Sequence, residues 1–397
     1  LTSGAFENCT SLHSAIFLGD APTTFDTNSF TNTAPDFTIY YLSTSTGFTS
    51  PTWNGYLTVM LDEATYPAAP WLVSHGLPQD TDLNQDLNND GVVGLDDLRI
   101  ILIHWTGPAP ERTETPNIVM IYVDDMGYGD VAAFGATDVS TPNLDRMAEE
   151  GVMLTHCYNS SSACSTSRAA LLTGCYHSRV SIHTVFSPGS NNGLHPDETT
   201  IAEMLGDVGY DSAMVGKWHL GHPHSMMPYS QGFDWFYGIP VSHDYKSVPG
   251  FNNRVPLYRK LPGQSVEIID TIRWNDTGPD GEVQYYTERF TQEAVGFIQT
   301  PRDDPFFLYV AYCMPHVALA VTEPFDGVSQ RGLYGDVMAE IDAGIGDILQ
   351  ALEDRGIDGD TVVVFASDNG PWLSFGDHSG SPGPLREGKR TVFDGGV

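Results

Sequence analysis

The chain has 397 residues, with 18 Lys+Arg against 51 Asp+Glu and a formal net charge of −33, which excludes nucleic-acid binding by phosphate neutralisation, since that needs clustered cations. Hydrophobic residues at 41% supply a large core, so the acidity does not mark a disordered chain, and the length suits two to three domains at about 150 residues each. No apolar run approaches the roughly 18 residues of a membrane span, no basic start followed by an apolar run marks a signal peptide, and the five cysteines show neither metal spacing nor a disulfide framework.

Residues 1–110 hold Arg99 as their only cation against 12 acids, a net of −11. Two similar blocks, AFENCTSL from Ala5 and SFTNTAPDF from Ser29, lie 24 residues apart, a period that points to a solenoid, and a β-prone run covers Phe37 to Leu42. Residues 1–60 resemble the end of a bacterial leucine-rich repeat array, a small β-rich repeat region that continues a longer one. Within 76–106, Asp86, Asn88 and Asp90 offer side-chain oxygens, Gly91 a turn, Val92 a carbonyl and Asp97 a carboxylate, at the spacing of a calcium loop. Leu95 to Trp105 then reads as an amphipathic exit helix. The stretch resembles a single dockerin-type or EF-hand-like repeat, with Asp97 where Glu is usual. A solvated acidic linker is the plain alternative. Residues 107–116 form a Pro-rich linker.

From Asn117 onward, strand and helix patterns alternate, which predicts an α/β fold with a mostly parallel sheet flanked by helices on both faces. Strands are expected at Asn117–Val123, Val152–Tyr158, Tyr210–Val215, Phe306–Tyr312 and Thr361–Ala366. Helices are expected after Thr141, from Ser167 to Thr173, from Thr199 to Val208 and from Gly335 to Glu353. Polar residues follow directly on several of these strands: Asp124 and Asp125, Lys217 and His219, His316, then Asp368 and Asn369. The carboxyl ends of parallel strands line one edge, so these groups should converge there. The carboxylates and the Asn369 amide form an all-oxygen set suited to calcium or magnesium.

CSTSRAALLTG from Cys164, GKWHLG from Gly216, QGFDWFYGIPVSHD from Gln231, MPHVAL from Met314, SDNG from Ser367 and LREGKRTVFDGG from Leu385 resemble, in order and spacing, the formylglycine-dependent sulfatases of the alkaline phosphatase superfamily, arylsulfatases above all. The resemblance covers residues 117–397. It implies that Cys164 is oxidised to formylglycine by a formylglycine-generating enzyme and that the aldehyde hydrate is the nucleophile. It also implies that Asp124, Asp125, Asp368 and Asn369 hold calcium, or magnesium, against the residue at 164. Arg168 would hold the hydrate oxyanion, and Lys217 and Lys389 would neutralise the sulfate. His219 would take the second hydroxyl's proton, and His316 would protonate the leaving alcohol. His222, His224 and His243 receive no role. Cys157 and Cys175 are close enough in sequence to pair, with free thiols as the other outcome.

Two positions depart from the pattern: Thr166 stands where proline is usual in the cysteine motif, which puts its recognition by the modifying enzyme in doubt, and Ala318 replaces a proline after His316. Specificity is expected from Ser225–Tyr229 and from a loop over Asp244–Gly281. The reading predicts a fragment at both ends of an exported sulfuric ester hydrolase acting on sulfated polysaccharides or aryl sulfates, with a docking or surface partner for the N-terminal modules and a second calcium ion in the 86–97 loop. The alternatives are a phosphodiester or phosphonate ester hydrolase on the same scaffold, and a calcium-dependent surface adhesion protein with an inert hydrolase part.

Overall fold

The structure, a computed structural model, describes residues 14–17, 38–42, 48–49, 52–53, 56–61, 115–245, 254–273 and 285–397. These fall into two units, each taken by itself. The first holds β1 (Ser14–Phe17), β2 (Thr38–Leu42), β3 (Thr52–Trp53) and β4 (Tyr56–Leu61), ordered β1-β2-β4-β3. β1 pairs with β2 in parallel, Ser14 opposite Thr38, an offset equal to the spacing of the two sequence blocks. Asp86, Asn88, Asp90, Val92 and Asp97, with the proposed exit helix, lie outside the described residues.

In the second unit β5 (Asn117–Val123) leads through α1 (Pro142–Glu150), α2 (Cys164–Thr173) and α3 (Ile201–Gly206) to β6 (Asp211–Lys217). There follow β7 (Trp235–Ile239), β8 (Arg254–Lys260), β9 (Glu267–Arg273), α4 (Tyr286–Gln299), β10 (Phe306–Ala311), α5 (Leu333–Asp354) and β11 (Thr361–Ser367). The sheet runs β11-β5-β10-β6-β7-β8-β9, parallel from β11 to β7 and antiparallel through β8 and β9.

A parallel sheet covered on both faces needs strands apolar on both faces, and β10 shows this residue by residue. Phe306, Leu308 and Val310 pack into one core with Phe290, Phe297, Ile341 and Ile345 of α4 and α5. Phe307, Tyr309 and Ala311 pack into the other, with Ala169, Leu172 and Ala202 of α2 and α3. The mostly parallel α/β architecture read from the sequence is therefore the one observed. At the centre, strands approach so closely that a Cβ on Gly216 would sit 1.9 Å from the Ala311 carbonyl, and Gly216 has a φ of 119° that favours glycine.

Several expectations are corrected. Val152–Tyr158 is irregular, not a strand: Val152 and Met153 are exposed, and the segment leads to Asn159, which donates to the Ser367 carbonyl and accepts from the Tyr122 hydroxyl. The helix expected from Ser167 begins at Cys164. Asp244–Gly281 is not simply a loop but contains β8 and β9, because Val255 and Leu257 alternate into the core. Helix α4 carries Phe290, Ala294, Phe297 and Ile298 on one buried face, a periodicity the sequence reading passed over. Of the two outcomes left open for Cys157 and Cys175, the disulfide is not formed, and Cys175 is a free thiol.

Asp130 ties the loop after β5 to the rest of the unit. Its carboxylate accepts from the backbone N–H of Gly127 (2.8 Å) and Ser381 (2.9 Å) and from the Tyr334 hydroxyl (2.7 Å). Burial pushes its pKa up to about 6, against the Tyr334, Ser381 and Gly127 bonds that pull it down. The folded state thus keeps a proton that the unfolded chain loses near pH 4, and stability falls as pH rises toward 6. The Tyr334 bond limits that loss. Tyr334→Phe should cost about 1–2 kcal/mol at neutral pH and distinctly less near pH 5. Thermal unfolding at the two pH values checks this; an equal loss at both contradicts it.

Candidate active site

The carboxyl ends of β5, β6, β10 and β11 deliver their polar residues to one place. Asp124 and Asp125 follow β5, Lys217 ends β6, Asp368 and Asn369 follow β11, and all are buried. The first turn of α2 adds Cys164 and Arg168, and the 385–396 segment adds Lys389. Buried charges must be paired, and here each carboxylate meets a cation. Lys217 Nζ donates to Asp124, and Lys389 Nζ donates to Asp125 Oδ1. Arg168 forks onto Asp368 Oδ2 through Nε (3.0 Å) and Nη2 (2.8 Å), and its Nη1 donates to the Lys217 carbonyl at 2.9 Å. Arg168 also lies 3.7 Å from Asp124 Oδ2.

Cys164 sits between two of these pairs, its Sγ 3.3 Å from Asp124 Oδ1 and 3.2 Å from Lys389 Nζ. Burial, reinforced by Asp124, pushes its thiol up to about 12, so as a thiol it stays protonated and a weak nucleophile. Burial pushes Asp124 up, but Lys217, His316, Arg168 and Lys389 outweigh it and hold the carboxyl well below its usual range. Burial, with Asp124 next, raises Asp368 to about 7. His316 Nε2 lies 3.6 Å from Asp125 Oδ2, and burial together with Lys389 keeps the ring neutral.

Two oxygens in this cluster, Asp125 Oδ2 and Asn369 Oδ1, are buried without a hydrogen-bond partner. An unsatisfied buried oxygen is costly, and one carboxylate oxygen and one amide oxygen at the ends of neighbouring strands fit a hard divalent cation. Ligand atoms of Asp124, Asp125, Cys164 and His316 all come within 4.8 Å of one another. The oxygen donors of Asp124, Asp125, Asp368 and Asn369 suit calcium or magnesium, with Arg168 engaging only the Oδ2 of Asp368.

Two candidates are held by other groups of the chain. Arg168 is turned to Asp368 and Asp124. His219, with burial holding its imidazole neutral, directs Nε2 to the Phe186 carbonyl (3.1 Å) and the Tyr245 hydroxyl (3.4 Å), and its Nδ1 is buried without a partner. Two neighbours, Ser242 and Trp372, were missed, and His243, named from the sequence without a role, stands with them. Ser242 accepts from Lys217 Nζ at 3.1 Å, and the His243 ring lies 5.6 Å from that of His316. Both follow closely on β7, so the rule of polar residues after strands would have placed them here. Trp372 had no such signal; it lies 5.5 Å from the His316 ring and 4.8 Å from Lys389 Nζ. Asp125 and His219 adopt φ values of 67° and 58°, uncommon for residues with side chains and frequent at functional sites.

The sulfatase family model matches residues 116–395. The N-acetylgalactosamine-6-sulfatase of Mus musculus is 40% identical over 301 residues, covering 72% of this chain and 56% of the relative. Arylsulfatase A of Homo sapiens is 37% identical over 293 residues, covering 71% and 57%. This chain thus spans little more than half the length of these curated relatives. The PsFucS1 sulfatase from Pseudoalteromonas sp. superposes with a TM-score of 0.65 at 29% identity, over 72% of this chain and 61% of that one. Ps i-CgsB in complex with k-i-k-neocarrahexaose gives a TM-score of 0.61 at 29% identity, over 71% and 64%.

If a cation completes the two orphaned oxygens, added calcium should raise the thermal midpoint, the stabilisation reaching about 2.7 kcal/mol at a hundredfold excess over Kd. Asn369→Ala should shrink that increment. An unchanged increment in the variant contradicts the assignment.

Proposed function

Because the chain belongs to the sulfatase family, we propose that it hydrolyses sulfate esters, with residue 164, converted from cysteine to formylglycine, as the nucleophile and calcium held by Asp124, Asp125, Asp368 and Asn369. The observation that carries this reading is the place of Cys164: first residue of a helix, buried, between Asp124 and Lys389, where a thiol is held protonated. The formylglycine hydrate supplies a geminal diol, one hydroxyl to accept the sulfuryl group and a second to expel sulfate. The cation supplies Lewis acidity toward sulfate oxygens and the diol.

The remaining roles fall to the chain's own side chains. Lys217 and Lys389 neutralise the sulfate, the second of them from 3.2 Å beside the residue-164 side chain. The start of α2 adds unpaired backbone N–H groups that favour an anion. Arg168 fixes Asp368 and steadies the hydrate oxyanion. His219 takes the second hydroxyl's proton, and Tyr245 and Phe186 orient its ring. His316 donates to the leaving alcohol; an entering sulfate offsets Lys389 and lets the ring take up its proton. Thr166, where the motif usually has proline, donates its hydroxyl to the Ala163 carbonyl at 2.7 Å and is the residue that tests the modifying enzyme's tolerance.

A sulfated saccharide is the favoured substrate class, supported by the sugar sulfatase among the relatives and the oligosaccharide held by a structural neighbour. We read residues 1–60 as the end of a repeat array, 76–106 as a calcium module that binds a second ion, and 107–116 as a linker, on an exported enzyme. The 24-residue offset of β1 and β2 supports the first of these.

Protein co-expressed with a formylglycine-generating enzyme should release nitrophenol from nitrophenyl sulfate faster than from a nitrophenyl phosphodiester, and Cys164→Ala should lose about a thousandfold or more in kcat. A preference for the phosphodiester, or full activity in the variant, overturns the proposal.

A further inference from the structure

Arg390 is exposed and, among the described residues, has no acidic partner; its guanidinium lies over the Trp372 ring, 4.6 Å from the centroid. Its backbone is fixed in the left-handed region at φ 69°, rare for a residue with a side chain. The Arg390 N–H donates to the Ser162 carbonyl and the Lys389 N–H to the Pro371 carbonyl, both at 2.9 Å. Glu387, three residues earlier in the same segment, takes the left-handed conformation too (φ 61°), as do Asp125 and His219, and this conformation is kept where surrounding structure over-determines it, often at ligand clamps.

Trp372 joins this arginine to the reaction centre. The same ring touches His316, read above as donor to the leaving alcohol, and Lys389, read as a sulfate-neutralising cation. Both cation distances, 4.8 and 4.6 Å, are measured to one ring, so the two charges lie at most about 9.4 Å apart. A guanidinium stacked on an aromatic face keeps its outer N–H groups free for a bidentate oxyanion, and stacking reduces the side-chain freedom lost on binding.

We propose that Arg390, held on Trp372, binds a second anionic group, carboxylate or sulfate, on the saccharide that carries the scissile ester. The assignment rests on the sulfate-ester reading above and makes Arg390 a specificity-determining residue on the leaving-group side. It also gives a polyanionic substrate a local anchor on a chain of net charge −33.

The test compares three saccharide sulfates: one with a single ester, one with a uronate on the adjacent sugar, and one with a second sulfate there. Arg390→Ala should raise KM about tenfold for at least one of the two dianionic substrates, with kcat within about twofold, and leave the single ester unchanged. Arg390→Lys should recover only part of the loss, because it keeps the charge without the fork. The arm with the larger loss identifies the anion. Equal effects of Arg390→Ala on all three substrates, or none on any, overturn the subsite while leaving the hydrolase reading intact. Wild-type protein that hydrolyses none of the three overturns both. Thermal midpoints of the two variants separate these outcomes from misfolding, and Arg390→Gln, which keeps the stem, replaces any variant that is destabilised.

Discussion

Three buried carboxylates facing three buried cations govern the rest of this unit. Lys217 on Asp124, Lys389 on Asp125 and Arg168 on Asp368 bring residues from three strands, a helix and the last described segment to within bonding distance. Stripping water from six charges is costly, and losing one partner leaves its mate uncompensated. The cluster therefore fixes where each strand must end and how the 385–396 segment returns to the sheet. The residual imbalance, two oxygens without donors, is where the arrangement has room for a further positive charge.

The sheet makes that arrangement affordable. Two apolar cores, one on each face, hold the parallel strands so that their carboxyl ends coincide, and the flat central contacts depend on Gly216 and on Gly238, where a Cβ would meet the neighbouring backbone. The antiparallel β8 and β9 extend one edge without entering the charged cluster. Of the five non-glycine residues with left-handed backbones among the described residues, Asp125, His219 and Arg390 lie in or beside the cluster. These positions give up local stability to aim a side chain.

Much of this was legible in the sequence, for a definite reason. Buried parallel strands read as unbroken apolar runs, as in Asn117–Val123 and Phe306–Ala311, and a polar residue directly after such a run is easily placed on the sheet edge. Ser242 escaped, and His243 went without a role, because β7 is short and interrupted by Gly238. β8, β9 and α4 escaped because they follow a stretch rich in Gly, Pro and Asn that reads as a loop. The pairing of Lys389 with Asp125, and of Trp372 with His316 and Arg390, has no local signal: it depends on the Pro371 carbonyl meeting the Lys389 N–H, a long-range backbone contact. Val152–Tyr158 shows the opposite error, β-prone composition overruled by the route to Asn159.

Catalysis at this site turns on residue 164 acting as formylglycine and not as cysteine. Mass spectrometry of the peptide containing residue 164, from protein co-expressed with a formylglycine-generating enzyme and treated with both a hydrazine and a thiol alkylator, distinguishes the two. An aldehyde at 164 that forms the hydrazone and resists alkylation is expected. A peptide that is fully alkylated at Cys164, from protein that still cleaves sulfate esters, would contradict it.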